Sequence, residues 1–248
     1  KSDIFKYIGE SGRAIVNGDD DKLCTLRGKL KNVLTYGLNA DNDIRGENVK
    51  DMGLEGMRFD IVYGGGRITA TIPSPGIHMV MNSLCAAAVG LTLGIEPELI
   101  KQGIESYAPV EGRMQIIKTQ RLTLLDDSFN ANPTSMAAAI NIACRASGRT
   151  VLILGDMLEL GEKGAEYHRN MGKKAVECGA DIMIGKGPLM KNACEETERA
   201  GIETMHFDTS EDIMRALDNC LRDGDTVLVK ASHGTNLKDV AEYIKANF

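Results

Sequence analysis

Three short polar clusters follow apolar runs and lead into helix-like patterns, and each holds groups that can do chemistry. Asp126-Asp127-Ser128-Phe129-Asn130-Ala131-Asn132-Pro133 comes after the apolar run Leu122–Leu125. Its carboxylates can accept hydrogen bonds from ribose hydroxyls, and Asn130 and Asn132 offer both donors and acceptors. The helix that starts at Pro133 presents an anion-favouring N-terminus. The competing reading is a capping loop, because Asp, Ser and Asn are the ordinary residues before a helix. Gly155-Asp156-Met157-Leu158-Glu159-Leu160-Gly161-Glu162 offers acids to an ammonium group or a metal-bound water. Turn glycines and acids ahead of a helix are the more economical explanation of that stretch taken alone. His168 reads as a packed or solvated histidine rather than a catalytic one. Lys230-Ala231-Ser232-His233-Gly234 gathers a cation, a hydroxyl and an imidazole, a set suited to a carboxylate, against the reading of Lys230 and His233 as solvated loop residues.

These clusters need a frame that brings them together, and the second half of the chain supplies one. Apolar runs at Leu122–Leu125, Val151–Leu154, Asp181–Ile184, Glu203–Phe207 and Thr226–Val229 alternate with amphipathic helices that begin near Pro133, Glu162, Pro188, Ser210 and Asn236. That βα repeat predicts an α/β fold with a Rossmann-like, mainly parallel sheet and helices on both faces. Ligands of such sheets collect beyond the carboxyl ends of the strands, so the three clusters point into one crevice and a small-molecule site becomes the favoured reading.

The first half reads differently. A helix to about Gly9 and strands at Arg13–Asn17, Asn32–Tyr36, Met57–Tyr63 and Arg67–Ile72 are expected, with Gly64-Gly65-Gly66 supplying the positive φ angles of a hairpin turn. Helices follow at His78–Leu93 and from Glu96 to about Tyr107. Ala108-Pro109-Val110-Glu111-Gly112 breaks the pattern and places a domain division between residues 1–112 and 113–248.

Bulk composition narrows the function classes. The 248 residues carry 43% hydrophobic and 26% charged side chains, enough for real cores, and 248 residues favour two folding units. A net charge of −6 argues against nucleic-acid binding. The six cysteines are dispersed without a CxxC pair and read as buried thiols of a reducing cytoplasm. The apolar run at Leu84–Leu93 is too short to span a bilayer. The chain contains no G-x-x-x-x-G-K-[ST] loop and no G-x-S-x-G or H-E-x-x-H motif, so a triphosphate cradle, a serine nucleophile and a zinc centre all lack their usual signatures.

Taken in order, several segments resemble the Mur ligase family over nearly the whole chain. Asn17-Gly18-Asp19-Asp20 resembles its Asn-x-Asp-Asp segment, and Gly76-Ile77-His78-Met79-Val80-Met81-Asn82-Ser83-Leu84 resembles its Gly-x-His-Asn-x-x-Asn-Ala-Leu helix start. Glu111-Gly112-Arg113-Met114 resembles its Gly-Arg hinge. Asp127–Pro133 with Ser135, followed by Leu154-Gly155-Asp156-Met157-Leu158-Glu159-Leu160-Gly161, looks like the branch that adds D-alanyl-D-alanine. Sister enzymes that add diaminopimelate or lysine carry an Asp-Asn-Pro-Arg type signature where this chain has Ile184-Gly185-Lys186-Gly187-Pro188. Met79 departs from the first Asn of the helix-start motif, and Ala231 from a common Gly in the last loop.

The resemblance implies part of an ATP-dependent amide-bond ligase: an incomplete α/β central domain with an open sheet edge, then a complete C-terminal domain. In the complete family member, ATP with Mg2+ phosphorylates the terminal carboxylate of a UDP-MurNAc-tripeptide, and the amine of D-Ala-D-Ala attacks the acyl phosphate. Carried over residue by residue, Asn82, Arg113 and Asp127 would contact the nucleotide, and Asn130, Asn132, Lys230, Ser232 and His233 the acceptor dipeptide. No catalytic residue and no metal ligand carries over, and without a phosphate loop the chain is expected to be inactive alone. The resemblance further implies a cytoplasmic, monomeric enzyme with no membrane or nucleic-acid partner. Alternatives are a free-standing small-molecule-binding module or a related ligase such as a folylpolyglutamate-type synthetase.

Overall fold

The structure is a computed structural model and describes residues 2–248. The chain divides into two compact units, residues 1–108 and residues 109–248, a few residues ahead of the division expected at Gly112.

The first unit is built on five strands: β1 (Ala14–Asn17), β2 (Val33–Gly37), β3 (Ile44–Asp51), β4 (Met57–Tyr63) and β5 (Gly66–Ile72), in that spatial order. The β1–β2 and β2–β3 pairs are parallel, whereas β3–β4 and β4–β5 are antiparallel. Among the described residues β1 forms one edge and is paired along one side only. Alternation sets the buried face: Met57, Phe59 and Ile61 on β4 and Ile68, Ala70 and Ile72 on β5 are all buried. Helix α1 (Ile77–Thr92) covers them with Val80, Leu84, Ala87 and Ala88, and α2 (Pro97–Glu105), with Pro97 in its first turn, adds Ile100 and Ile104.

Three details depart from the sequence expectation. The first residues form only a 3-10 turn, Ser2–Phe5, with Ile4 75% exposed. An amphipathic helix there would need a partner for its apolar side. The strand β3 has no counterpart in the sequence reading, because its sequence Ile44-Arg45-Gly46-Glu47-Asn48-Val49-Lys50-Asp51 is polar and its register breaks between Glu47 and Lys50, where Asn48 takes φ 50°. The glycine turn joins β4 to β5 as expected, yet within it the positive φ falls on Gly66 alone, at 155°.

The second unit is a six-stranded sheet in the order β10-β9-β8-β11-β7-β6. Its elements are β6 (Gln115–Lys118), β7 (Thr123–Asp127), α3 (Pro133–Cys144), β8 (Thr150–Gly155), α4 (Gly164–Cys178), β9 (Ile182–Lys186), α5 (Lys191–Arg199), β10 (Glu203–Phe207), α6 (Ser210–Cys220), β11 (Thr226–Lys230) and α7 (Lys238–Asn247). Every pairing is parallel except β6 with β7, and β6 is a short edge strand that the sequence does not announce. Val151, Ile153, Ile182, Ile184, Val227 and Val229 share one cluster with Ile213 and Leu217 of α6 and Val240 and Ile244 of α7. The two-residue period sends Leu152, Leu154, Met183 and Leu228 to the other face, where α3, α4 and α5 pack in succession. Helices therefore cover both faces, and the chain leaving β11 turns to the opposite side from the chains leaving β7 and β8. That reversal makes a switch point, and the polar clusters of β7, β8 and β11 lie at it.

Of the six cysteines, Cys194 and Cys220 are buried and the other four are half-buried. Among the described residues no helix is long and apolar enough to cross a membrane.

Candidate functional site

Alternation at the end of β7 separates two adjacent carboxylates. Asp126 turns toward α7 and is fully buried; its Oδ1 accepts the Ser128 hydroxyl at 2.6 Å and its Oδ2 the Lys245 ammonium at 2.8 Å. Burial works against the Lys245 charge, but the bonds to Asp126 and Glu242 outweigh it and raise the lysine above its ordinary pKa. Asp127 turns the other way. Its Oδ2 accepts Lys230 Nζ at 2.6 Å and its Oδ1 the Met114 amide at 3.0 Å.

Lys230 stands directly across from Asp127 in the β11–β7 register and is 2% exposed. A second bond from its Nζ reaches the Asn130 carbonyl at 2.8 Å. Lys230 is therefore neither the solvated loop residue nor the free cation that the sequence suggests. A charge this deeply buried needs a partner, and Asp127 is that partner.

Ser232 stitches the three strand-end loops together. Its hydroxyl accepts the Leu158 amide at 3.0 Å and approaches the Ala131 carbonyl at 3.4 Å, and its own amide reaches the Asp156 carbonyl at 3.1 Å. Asn132 caps α3: Oδ1 accepts the Ser135 amide at 2.9 Å and the Ser135 hydroxyl meets the Asn132 amide at 3.1 Å, a reciprocal capping box. Asn130 bonds the next amide, Ala131, at 2.8 Å. Both asparagines are exposed, so each retains amide surface toward solvent.

The first acid after β8 is structural. Asp156 is 5% exposed and its carboxylate accepts the Met190 amide at 2.7 Å and the Leu189 amide at 3.2 Å, which fixes the loop after β9. His168 is fully buried; Nε2 accepts the Met157 amide at 2.9 Å, so Nδ1 carries the proton and donates to the Gly164 carbonyl at 2.7 Å. In that state it is a neutral brace, although Asp156 Oδ1 lies 3.9 Å away. Among the described residues no group of three or more His, Cys, Asp or Glu side chains could hold a metal ion.

Two features of this end of the sheet escape sequence reasoning. Lys186, at the end of β9, donates to Ser210 Oγ and the Thr235 carbonyl, both at 2.6 Å, and burial pulls its pKa down. Arg113 and His233, both exposed, gather around Phe129: the guanidinium carbon is 4.1 Å from the phenyl centroid and the imidazole centroid 5.6 Å. Phe129 sits inside the Asp127–Pro133 segment, but no spacing rule pairs it with Arg113.

In the first unit, exposed Asn82 lines an apolar cavity of about 460 Å³ between α1, α2 and β5, with Met79, Ala86, Leu99, Ile104 and Tyr107. The size and the one amide suit a flat heterocycle with a polar edge. Ahead of this, the Asp19 carboxylate accepts the Leu38 and Asn39 amides and the Asn42 side-chain amide at 2.6, 3.1 and 2.7 Å, so the Asn17–Asp20 segment braces the loop after β2.

Residues 1–90 match the Mur ligase middle domain, and residues 112–233 match the Mur ligase, glutamate ligase domain. The UDP-N-acetylmuramoyl-tripeptide–D-alanyl-D-alanine ligase of Bacillus subtilis is 31% identical, over 98% of this chain and 53% of the relative. The enzyme of the same name from Buchnera aphidicola is 30% identical, again over 98% of this chain and 53% of the relative. A crystal structure of MurF from Acinetobacter baumannii superposes with a TM-score of 0.89 at 25% identity, covering 100% of this chain and 55% of the other. The chain thus spans about half the length of the curated relatives it matches. With its two successive parts matched to the two family domains, the chain belongs to the Mur ligase family.

Proposed function

We propose that this chain contributes nucleotide and acceptor contacts to an ATP-dependent ligase that joins D-Ala-D-Ala to a UDP-MurNAc-tripeptide in peptidoglycan precursor synthesis. The observation that carries this reading is the similarity of 98% of the chain to ligases of that name. Fold likeness alone would leave the substrate open.

The residues present fit a nucleoside. Asn82 offers an amide beside an apolar cavity, Asp127 an acceptor for hydroxyls, and Arg113 a guanidinium for phosphate oxygens. ATP would supply the phosphoryl group that turns a carboxylate oxygen into a leaving group. The sequence holds no phosphate loop and the chain matches about half the length of each relative, so its share in the reaction is partial. For the acceptor, Asn130, Asn132, Ser232 and His233 present amide, hydroxyl and imidazole groups at the switch point. Lys230 acts there indirectly, by holding Asp127 and the Asn130 carbonyl.

The test is a titration of isotope-labelled protein with D-Ala-D-Ala, D-Glu, lysine and diaminopimelate, read by NMR. Selective shifts at Asp127–Asn132 and Ser232–His233 with D-Ala-D-Ala are expected. The same shifts with another amine in its place would overturn the acceptor assignment.

A further inference from the structure

Arg113 is held by a ring and not by an acid. Among the described residues no carboxylate lies within ion-pair distance of its guanidinium, which instead sits 4.1 Å from the centroid of Phe129, a ring that stays 42% exposed. The backbone around this contact is fixed on both sides. The Phe129 amide donates to the Gly112 carbonyl at 2.9 Å. Gly112 takes φ 70°, and a Cβ there would stand 3.2 Å from the Phe129 nitrogen and 3.3 Å from its Cβ. The Arg113 amide closes a turn onto the Val110 carbonyl at 3.0 Å, and the next amide, Met114, is bonded to Asp127. The ring and the guanidinium therefore start from two backbone segments locked to each other.

The choice of partner matters for what the arginine can still do. A carboxylate would occupy the N–H fork, whose five donors lie in the guanidinium plane. An aromatic face attracts the cation through its π electrons and leaves those in-plane donors facing outward. We infer that Phe129 is a positioning residue: it fixes the Arg113 guanidinium for a phosphate-class anion while leaving its hydrogen-bond donors available, and it orients the His233 ring beside it. This inference rests on the reading of Arg113 as a nucleotide contact.

Leucine and tyrosine separate this role from simple packing. A leucine side chain keeps apolar volume without a π face, so Phe129→Leu in the full-length protein is expected to raise the KM for ATP about two- to fivefold with kcat little changed, the range of an exposed cation–π contact. Phe129→Tyr restores the aromatic face and is expected to behave as the wild type. Ring-current shifts on the Arg113 side-chain protons, read by NMR without nucleotide, should vanish in the leucine variant and persist in the tyrosine variant. Wild-type KM and unchanged Arg113 shifts in Phe129→Leu overturn the inference, as does a tyrosine variant as impaired as the leucine one. A fall in kcat and thermal stability at constant KM would also overturn it, by reducing Phe129 to packing. Arg113→Gln distinguishes the two levels of failure. If it leaves KM unchanged, the nucleotide reading of Arg113 falls and takes the inference with it; if it raises KM while Phe129→Leu does not, only the positioning role falls.

Discussion

Lys230 and Asp127 face each other on neighbouring parallel strands, and the 2.6 Å bond between them joins the centre of the second sheet to the loop that carries the candidate ligand contacts. The ammonium is 2% exposed and the carboxylate 16%, so removing either partner strands a charge in poor solvent. Lys230→Met is expected to destabilise the second unit by about 3 kcal/mol in urea unfolding. The double variant Lys230→Met/Asp127→Leu should lose clearly less than the sum of the single losses, because neither charge then remains unpaired. Strict additivity would mean that the two groups do not act as a pair.

His168 offers a second test, of protonation state and stability together. With Nε2 accepting from Met157 and Nδ1–H donating to Gly164, the ring must be neutral. Long-range proton–nitrogen NMR correlations at neutral pH should show Nδ1 protonated and Nε2 bare. His168→Leu removes both bonds and leaves the buried Met157 amide without its acceptor, at about 1–3 kcal/mol, while the Gly164 carbonyl keeps the helical bond of α4. A loss under about 1 kcal/mol would show that the loop after β8 finds other partners.

Much of this architecture is legible in the amino-acid order, and the reasons differ by element. Val151–Leu154 and Thr226–Val229 are continuous apolar runs because parallel strands are buried on both faces, so their place in a βα repeat can be read directly. β3 cannot, since its Asn48 irregularity and polar outer residues hide the alternation. At the site, residue types mark the right loops but not the right bonds. Asp126 and Asp127 look equivalent in sequence, and only the two-residue period of β7 sends one to Lys245 and the other to Lys230. Asn132 reads as an acceptor contact in sequence, while its Oδ1 is engaged as the cap of α3, the competing use that its position before Pro133 also allows.

Asp60 contributes to the acid limb of stability in the first unit. The Thr69 hydroxyl, the Asn48 amide and the Arg67 guanidinium hold its carboxyl below the usual aspartate range, against a smaller desolvation effect. A carboxyl depressed on folding contributes stability above its unfolded pKa, about 3.9, and that contribution is lost as pH falls through the lower folded value. Urea midpoints measured between about pH 6 and pH 2 should therefore decline less steeply below about pH 4 in Asp60→Asn than in the wild type. Parallel acid limbs in the two proteins would show that Asp60 contributes nothing.

Two helical glycines should respond in opposite directions to the same substitution. Alanine gains up to about 1 kcal/mol over glycine from helix propensity alone. At Gly103 in α2 an added Cβ meets nothing within 4 Å, so Gly103→Ala is expected to stabilise the first unit by roughly that amount. At Gly172 in α4 the Cβ would overlap the Ala193 carbonyl oxygen and stand 2.8 Å from the Ala193 Cα, which is backbone of α5 and cannot rotate away. Relieving that contact means separating α4 from α5, with an overpacking cost of about 1–3 kcal/mol that exceeds the propensity gain. Gly172→Ala should therefore lower the denaturation midpoint of the second unit while Gly103→Ala raises that of the first. If both variants were stabilised, the close approach of α4 and α5 at Gly172 would not exist in solution.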